Sequence, residues 1–178
     1  MKKILFALAI LALCCGSLMA VEKASSFKAE VRNVQPFTYM CLEGTGPYAG
    51  LPQLEKSFLA KFKSSGLKAA DKEITVYWNS PFYVAPEDLE WDIGYPVASN
   101  QTDKAGLKAK KFEFNKVAVA MHVGSYETTY ITINSLYKWI VENKLVVLGG
   151  PCVERYFDAP NSTTPDSKKK TEIWIPIQ

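Results

Sequence analysis

Asp92-Ile93-Gly94-Tyr95-Pro96-Val97 and Glu172-Ile173-Trp174-Ile175-Pro176-Ile177 are one pattern written twice, 80 residues apart: an acidic residue, an apolar run and a proline. Working backwards from each copy, a second match appears. ITVYWNSP (74–81) stands against CVERYFDAP (152–160), and Tyr77 to Tyr156 and Pro81 to Pro160 are each separated by 79 residues. Further back, FTYMCLEGTGPY (37–48) stands against AVAMHVGSY (118–126), with Gly44-Thr45-Gly46-Pro47-Tyr48 reading as three residues longer than its counterpart. Such self-similarity implies a repeated supersecondary unit, here covering about 27–97 and 107–177. Two copies in one small domain imply a pseudo-twofold axis, with a ligand cleft where the halves meet.

The elements between these landmarks follow from periodicity. Strands are expected near 27–34 and 37–43, broken at Pro36. Leu54, Phe58, Leu59 and Phe62 recur at helical spacing. Pro52 suits the first turn of that helix and Gly66 its stop, which places it near 53–64. Residues 73–78 and 90–97 read as strands separated by Pro81 and Pro86. In the second copy, Lys111 to Asn115 alternates as a half-buried strand, and Val117 to Val123 is a nearly continuous apolar run. Ile133, Leu136, Tyr137, Ile140 and Val141 form a helical stripe, with Asn143 as a left-handed stop. Strands at 151–157 and 171–177 complete it. The order is ββαββ twice: an α+β fold of duplicated βαββ units, with a mostly antiparallel sheet, two main helices and a pseudo-twofold cleft.

Residues 1–20 read as a signal peptide. Lys2 and Lys3 precede the apolar run Ile4 to Cys15, which is too short to span a bilayer, and Ser17-Leu18-Met19-Ala20 offers a cleavage site. The expectation is an exported protein of the periplasm or cell envelope, with a lipoprotein anchored through Cys14 or Cys15 as the alternative. Residues 21–178 then form a single domain. Without Lys2 and Lys3 the chain has 19 basic against 18 acidic residues. The one basic run, Lys168-Lys169-Lys170, lies in a polar loop. This is no electrostatic footprint for nucleic acid, and no sequence is spare for a helix-turn-helix. Cys41 and Cys152 remain, either as buried thiols or as a disulfide. With one His and no CxxC, no metal site is expected.

The second copy carries a further series. It runs His122-x-Gly124-x-Tyr126-Glu127, then Tyr137-x-Trp139-Ile140, then Gly150-Pro151-x-x-Glu154-x-Tyr156-x-Asp158-x-Pro160, and finally Thr171-Glu172-Ile173-x-Ile175-Pro176. In this it resembles the GyrI-like, or AraC-type, effector-binding domain family. The resemblance implies two βαββ units around a groove that binds amphipathic, often aromatic and cationic, small molecules. Many members are fused to a DNA-binding module. Stand-alone members are binding proteins, and some are hydrolases of strained cyclopropane-containing genotoxins. SOUL haem-binding proteins share a similar duplicated fold, but the lone His122 and the lack of CxxCH give no support to haem, and no cofactor is expected.

Glu154 is the sharpest candidate. Alternation puts Cys152, Glu154 and Tyr156 on one strand face, and a carboxylate among apolar neighbours is costly unless paired. Either it is satisfied by local donors, or it is the counter-charge for a cationic ligand, as the resemblance implies. Tyr126, Tyr156, Trp174 and Tyr130 supply aromatic surface for such a ligand. Glu172, the counterpart of Asp92, is either one of a matched structural pair or a cleft acid. With Glu154 it would make a carboxyl pair for acid–base hydrolysis. Three readings follow: a small-molecule-binding protein, a hydrolase acting from Glu154 with Glu172, and a protein-interaction module whose cleft is degenerate.

Overall fold

The computed structural model describes residues 27–159 and 162–178. The signal-peptide reading of residues 1–20 and the turn at Pro160 lie outside them. Ten main elements follow in order: β1 (Ala29–Asn33), β2 (Phe37–Thr45), α1 (Leu51–Ser65), β3 (Ile74–Tyr77), β4 (Glu90–Val97), β5 (Lys108–Phe112), β6 (Lys116–Val123), α2 (Thr129–Glu142), β7 (Cys152–Tyr156) and β8 (Lys170–Pro176). The fold is α+β, as the periodicity indicates.

The local signals act as their chemistry requires. Pro52 sits in the first turn of α1, where its missing N–H costs nothing, and Gly66 closes the helix at φ 71°, a conformation easy only for glycine. At the end of α2 the expectation fails by one residue. Asn143 has φ −89° and its Nδ2 donates to the Trp139 carbonyl at 2.8 Å, while Lys144 takes the left-handed conformation at φ 57°. The alternating strand expected at 111–115 lies slightly earlier, because its ladder to β2 pairs Cys41 with Lys108 and Phe37 with Phe112.

One eight-stranded sheet holds everything, in the order β1-β6-β8-β7-β3-β4-β2-β5, with every adjacent pair antiparallel. Exchanging each strand for its counterpart in the other half reverses this order onto itself, so the midline falls between β7 and β3. The first strand of each half pairs across the molecule: β1 joins β6 and β5 joins β2. This exchange bends the sheet. β1 and β2 lie at opposite ends of the strand order, yet only Val34, Gln35 and Pro36 connect them. Four Cα–Cα steps of about 3.8 Å reach at most about 15 Å. The two edges must therefore curl towards each other. The rings bear this out: Phe112 on β5 and Phe37 on β2 lie 6.1 and 6.5 Å from Trp174 on β8, several strands away.

The curl divides the core. Tyr39, Cys41, Ile74, Val76, Phe112, Val117, Val119, Val153 and Trp174 fill the concave side. On the convex side α1 packs Phe58 and Phe62 over β2 and β4, and α2 packs Leu136 and Ile140 over β6 and β8. Each such side chain contributes roughly 1.5–3 kcal/mol by leaving water. The main contacts of the two helices are with β2, β4, β6 and β8, so the midline strands β3 and β7 lie in a furrow between them. Cys41 belongs to the concave core and Cys152 to the convex side, so the sheet separates the two thiols and both are free.

Candidate functional site

The floor of the furrow is the convex face of β3 and β7. Alternation assigns Thr75 and Tyr77 of β3 to it, with Glu73 immediately before that strand, and Cys152, Glu154 and Tyr156 of β7. Register sets them in rows: Tyr77 beside Cys152 and Thr75 beside Glu154, while the Tyr156 N–H donates to the Glu73 carbonyl at 3.0 Å. Thr75 and Glu154, counterparts in sequence, thus face each other on the midline.

Glu154 is 2% exposed. Its Oε2 accepts from the Tyr156 hydroxyl at 2.7 Å and the Tyr77 hydroxyl at 3.2 Å. Tyr156 also lies 3.0 Å from Thr75 Oγ1, so its single proton goes to the carboxylate while it accepts from the threonine. Burial pushes the Glu154 carboxyl above the usual range, against the pull of nearby hydroxyls of Thr129, Tyr156 and Tyr77 and, more weakly, of the His122 charge. Of these, Thr129 already gives its proton to the Tyr126 carbonyl. Among the described residues no Lys, Arg or His lies within ion-pairing distance of Glu154.

Two further rings close the furrow. Tyr48 meets Tyr77 edge-on at 5.2 Å, and Tyr126 meets Tyr156 edge-on at 5.1 Å. Tyr48 and Tyr126 each open a short 3₁₀ turn just before a helix, two residues after Gly46 and Gly124. They are equivalent positions, and the three-residue excess read from the sequence does not exist. Burial pushes both hydroxyls up to about 12. The result is a cluster of four tyrosines around one carboxyl that has no basic side chain within ion-pairing distance among the described residues.

The other candidates go elsewhere. Arg155 lies directly opposite Glu172 in the β7–β8 ladder, so Glu172 shares the concave face with Arg155, and Glu154 points the other way. Glu172 accepts from Arg32 at 2.6 Å, from the Trp174 indole at 2.8 Å and from Arg155. Burial works to raise its pKa, but those hydrogen bonds and the charge of Arg155 hold it below the carboxylate range. Glu154 and Glu172 therefore share no water, and the carboxyl pair expected from the sequence is not assembled. Trp174 leaves the site with Glu172, its ring carrying the Arg155 guanidinium at 4.7 Å. Asp92 repeats this arrangement, accepting from Tyr39 at 2.9 Å, the Trp78 indole at 2.7 Å and Lys110 at 2.9 Å. Asp92 and Glu172 are a matched structural pair. Tyr130 stands 59% exposed on α2, outside the hydrogen-bonded cluster. His122 is structural, with Nδ1 2.9 Å from Thr132 Oγ1 and Nε2 3.1 Å from the Ser125 carbonyl.

The structure brings Glu154, Tyr126 and Tyr156, named from the sequence, together with Thr75, the counterpart of Glu154, and adds Tyr48, Tyr77 and Glu73, which the sequence reading did not single out as site residues. The 79-residue match of Tyr77 with Tyr156 was the available signal. Among the described residues no group of His, Cys, Asp and Glu could hold a metal ion, and no helix is long and apolar enough to cross a membrane.

Solved structures with this fold include the EcmrR C-terminal domain, at 13% identity and TM-score 0.75, covering 86% of this chain and 98% of that one. A hydrolase encoded by lin2189 from Listeria innocua matches at 16% identity and TM-score 0.64, covering 88% and 94%. SAV2435 bound to tetraphenylphosphonium matches at 15% identity and TM-score 0.64, covering 85% and 94%. No curated protein matches the chain by sequence. The model of the GyrI-like small molecule binding domain matches residues 27–178, the whole sheet and both helices, and the chain belongs to that family.

Proposed function

We propose that this domain binds amphipathic organic cations with aromatic surface, and that Glu154 is the counter-charge. The observation that carries the reading is a carboxyl buried on the midline with hydroxyl partners only. An uncompensated buried charge is expensive, and a cation entering the furrow would relieve that cost. The tyrosine faces would contribute stacking and cation–π attraction of roughly 0.5–2 kcal/mol each. SAV2435, a structural neighbour bound to tetraphenylphosphonium, supports this ligand class. The chain is read as a product of internal duplication, with residues 1–20 directing export to the periplasm or envelope and a lipid anchor as the alternative.

The test is calorimetry with tetraphenylphosphonium. Glu154→Gln keeps the shape and removes the charge, and should weaken binding by ~1–3 kcal/mol, the worth of a charged hydrogen bond. Equal affinity in wild type and variant would sink the reading. A second reading, hydrolysis, draws on the two phenolic hydroxyls against Glu154 and on the lin2189 hydrolase among the neighbours. A raised carboxyl can serve as general acid. On that reading Glu154→Gln abolishes turnover of a strained electrophile while its binding persists.

A further inference from the structure

Four carboxyl side chains are buried among the described residues: Glu73, Asp92, Glu154 and Glu172. On the concave side, Asp92 and Glu172 each hold a basic side chain and an indole N–H. The convex pair is treated differently. Glu154 has only hydroxyls, and Glu73, 5% exposed, has one hydrogen bond, from the Tyr95 hydroxyl at 2.9 Å. Among the described residues neither has a cation within ion-pairing distance. The same molecule therefore shows what a compensated buried carboxylate looks like, and Glu73 lacks that compensation.

Glu73 lies on the furrow floor, one row from Glu154 and on the adjacent strand. Such diagonal neighbours across a ladder are roughly 7–8 Å apart. The ring of Tyr95, beside it across the ladder, packs against Phe58 at 5.4 Å and Phe62 at 4.9 Å, both on α1, which fixes the hydroxyl that Glu73 accepts from. The charge of Glu55 on α1 acts on Glu73, Tyr95 and Tyr126 alike. Burial first, then Glu55, pushes the Glu73 carboxyl up to about 7 against the Tyr95 hydrogen bond. Lys169, which lies over the Tyr126 ring at this end, is already paired with Asp166 at 2.8 Å.

We propose that Glu73, beside Tyr95, is a second cation subsite of the furrow, and that the protein selects aromatic dications over monocations. The inference rests on the reading of Glu154 as the first subsite. It requires a ligand whose flat cation lies among the tyrosines at Glu154 and whose second positive group, on a short arm, reaches Glu73.

Ethidium and propidium test this directly. They share one phenanthridinium ring, and propidium adds a quaternary ammonium on a three-carbon arm. Fluorescence titrations at pH 8, where Glu73 is largely ionised, should show propidium binding about 10-fold tighter or more, the worth of one charge-assisted contact. Glu73→Gln should erase that advantage and leave ethidium unchanged, whereas Glu154→Gln should weaken both dyes. The exposed control Glu87→Gln should leave the propidium advantage intact. Equal affinities in wild type, an equal loss for both dyes in Glu73→Gln, or an advantage lost in Glu87→Gln would each overturn the second subsite while leaving Glu154 standing. Failure of both dyes to bind would overturn both readings.

Discussion

Glu73→Gln should stabilise the protein, and increasingly so as pH rises. The free side chain titrates at 4.5, and in the folded protein burial raises it to about 7. Between those values the folded chain holds a proton that the unfolded chain has released. Unfolding free energy therefore falls as pH rises through that window. At ~1.4 kcal/mol per pH unit, moving the midpoint from 4.5 to about 7 costs wild type about 3 kcal/mol by pH 8. Glutamine cannot ionise, and its amide oxygen still accepts from Tyr95. Urea unfolding from pH 4 to 8 reads the difference. Near pH 4 the two proteins should agree within ~1 kcal/mol, because a protonated carboxyl and an amide are close isosteres. By pH 8 the variant should be ahead by about 3 kcal/mol. Glu154 is raised in the same sense, but it is present in both proteins and cancels. Parallel stability curves over the whole range would refute the claim that Glu73 is buried without compensation.

Three further expectations concern the frame that holds the furrow. Arg155→Ala should cost ~3–5 kcal/mol in urea unfolding, because it leaves Glu172 buried beside Trp174 with one cation fewer. Leu136→Ala, at the fully buried contact of α2 with the sheet, should cost ~2–5 kcal/mol in the same assay. Gly44→Ala would set a methyl 2.3 Å from the Trp91 ring. That indole is buried and donates to the Gly46 carbonyl at 3.2 Å, so it has little freedom to yield, and a loss of ~1–3 kcal/mol in thermal unfolding is expected.

What the sequence revealed depended on the range over which each signal acts. Pro52 and Gly66 bound α1 because their effects are confined to one turn. Alternation placed Cys152, Glu154 and Tyr156 on one face, since a strand's phase is internal to it. Whether Glu172 shares that face depends on the register between β7 and β8, and a shift of one residue reverses the answer. The actual pairing, Arg155 against Glu172, sends Glu172 and Trp174 to the concave side. The partners of β1 and β5 were hidden for the same reason. An apolar pattern marks the buried face of a strand but not its neighbour, and three-residue connections read more simply as local hairpins than as the exchange observed. Glu73 gave no local signal, lying at the foot of a strand in a polar stretch. Only the ladder, which puts it beside Tyr156, and the packing of Tyr95 reveal it.

The two halves supply the furrow in equal measure and its charge unequally. Tyr48 and Tyr126, and Tyr77 and Tyr156, are equivalent pairs: the inner two place their hydroxyls on Glu154, and the outer two turn theirs to the Asn79 and Asp158 carbonyls. The counterparts of the two acids are Thr75 for Glu154 and Cys152 for Glu73. Thr75 is neutral, and it satisfies Tyr156 so that the phenol can donate to the carboxylate. Burial raises the Cys152 thiol far above neutrality, so that position carries no charge in ordinary solution. With Glu154 and Glu73 ionised, the symmetric frame would carry negative charge at its midline and at one end. An elongated cation entering it meets different chemistry in its two orientations. On the proposed reading, which half carries each acid would set the direction in which such a cation lies, and the paired tyrosines would add affinity without deciding it.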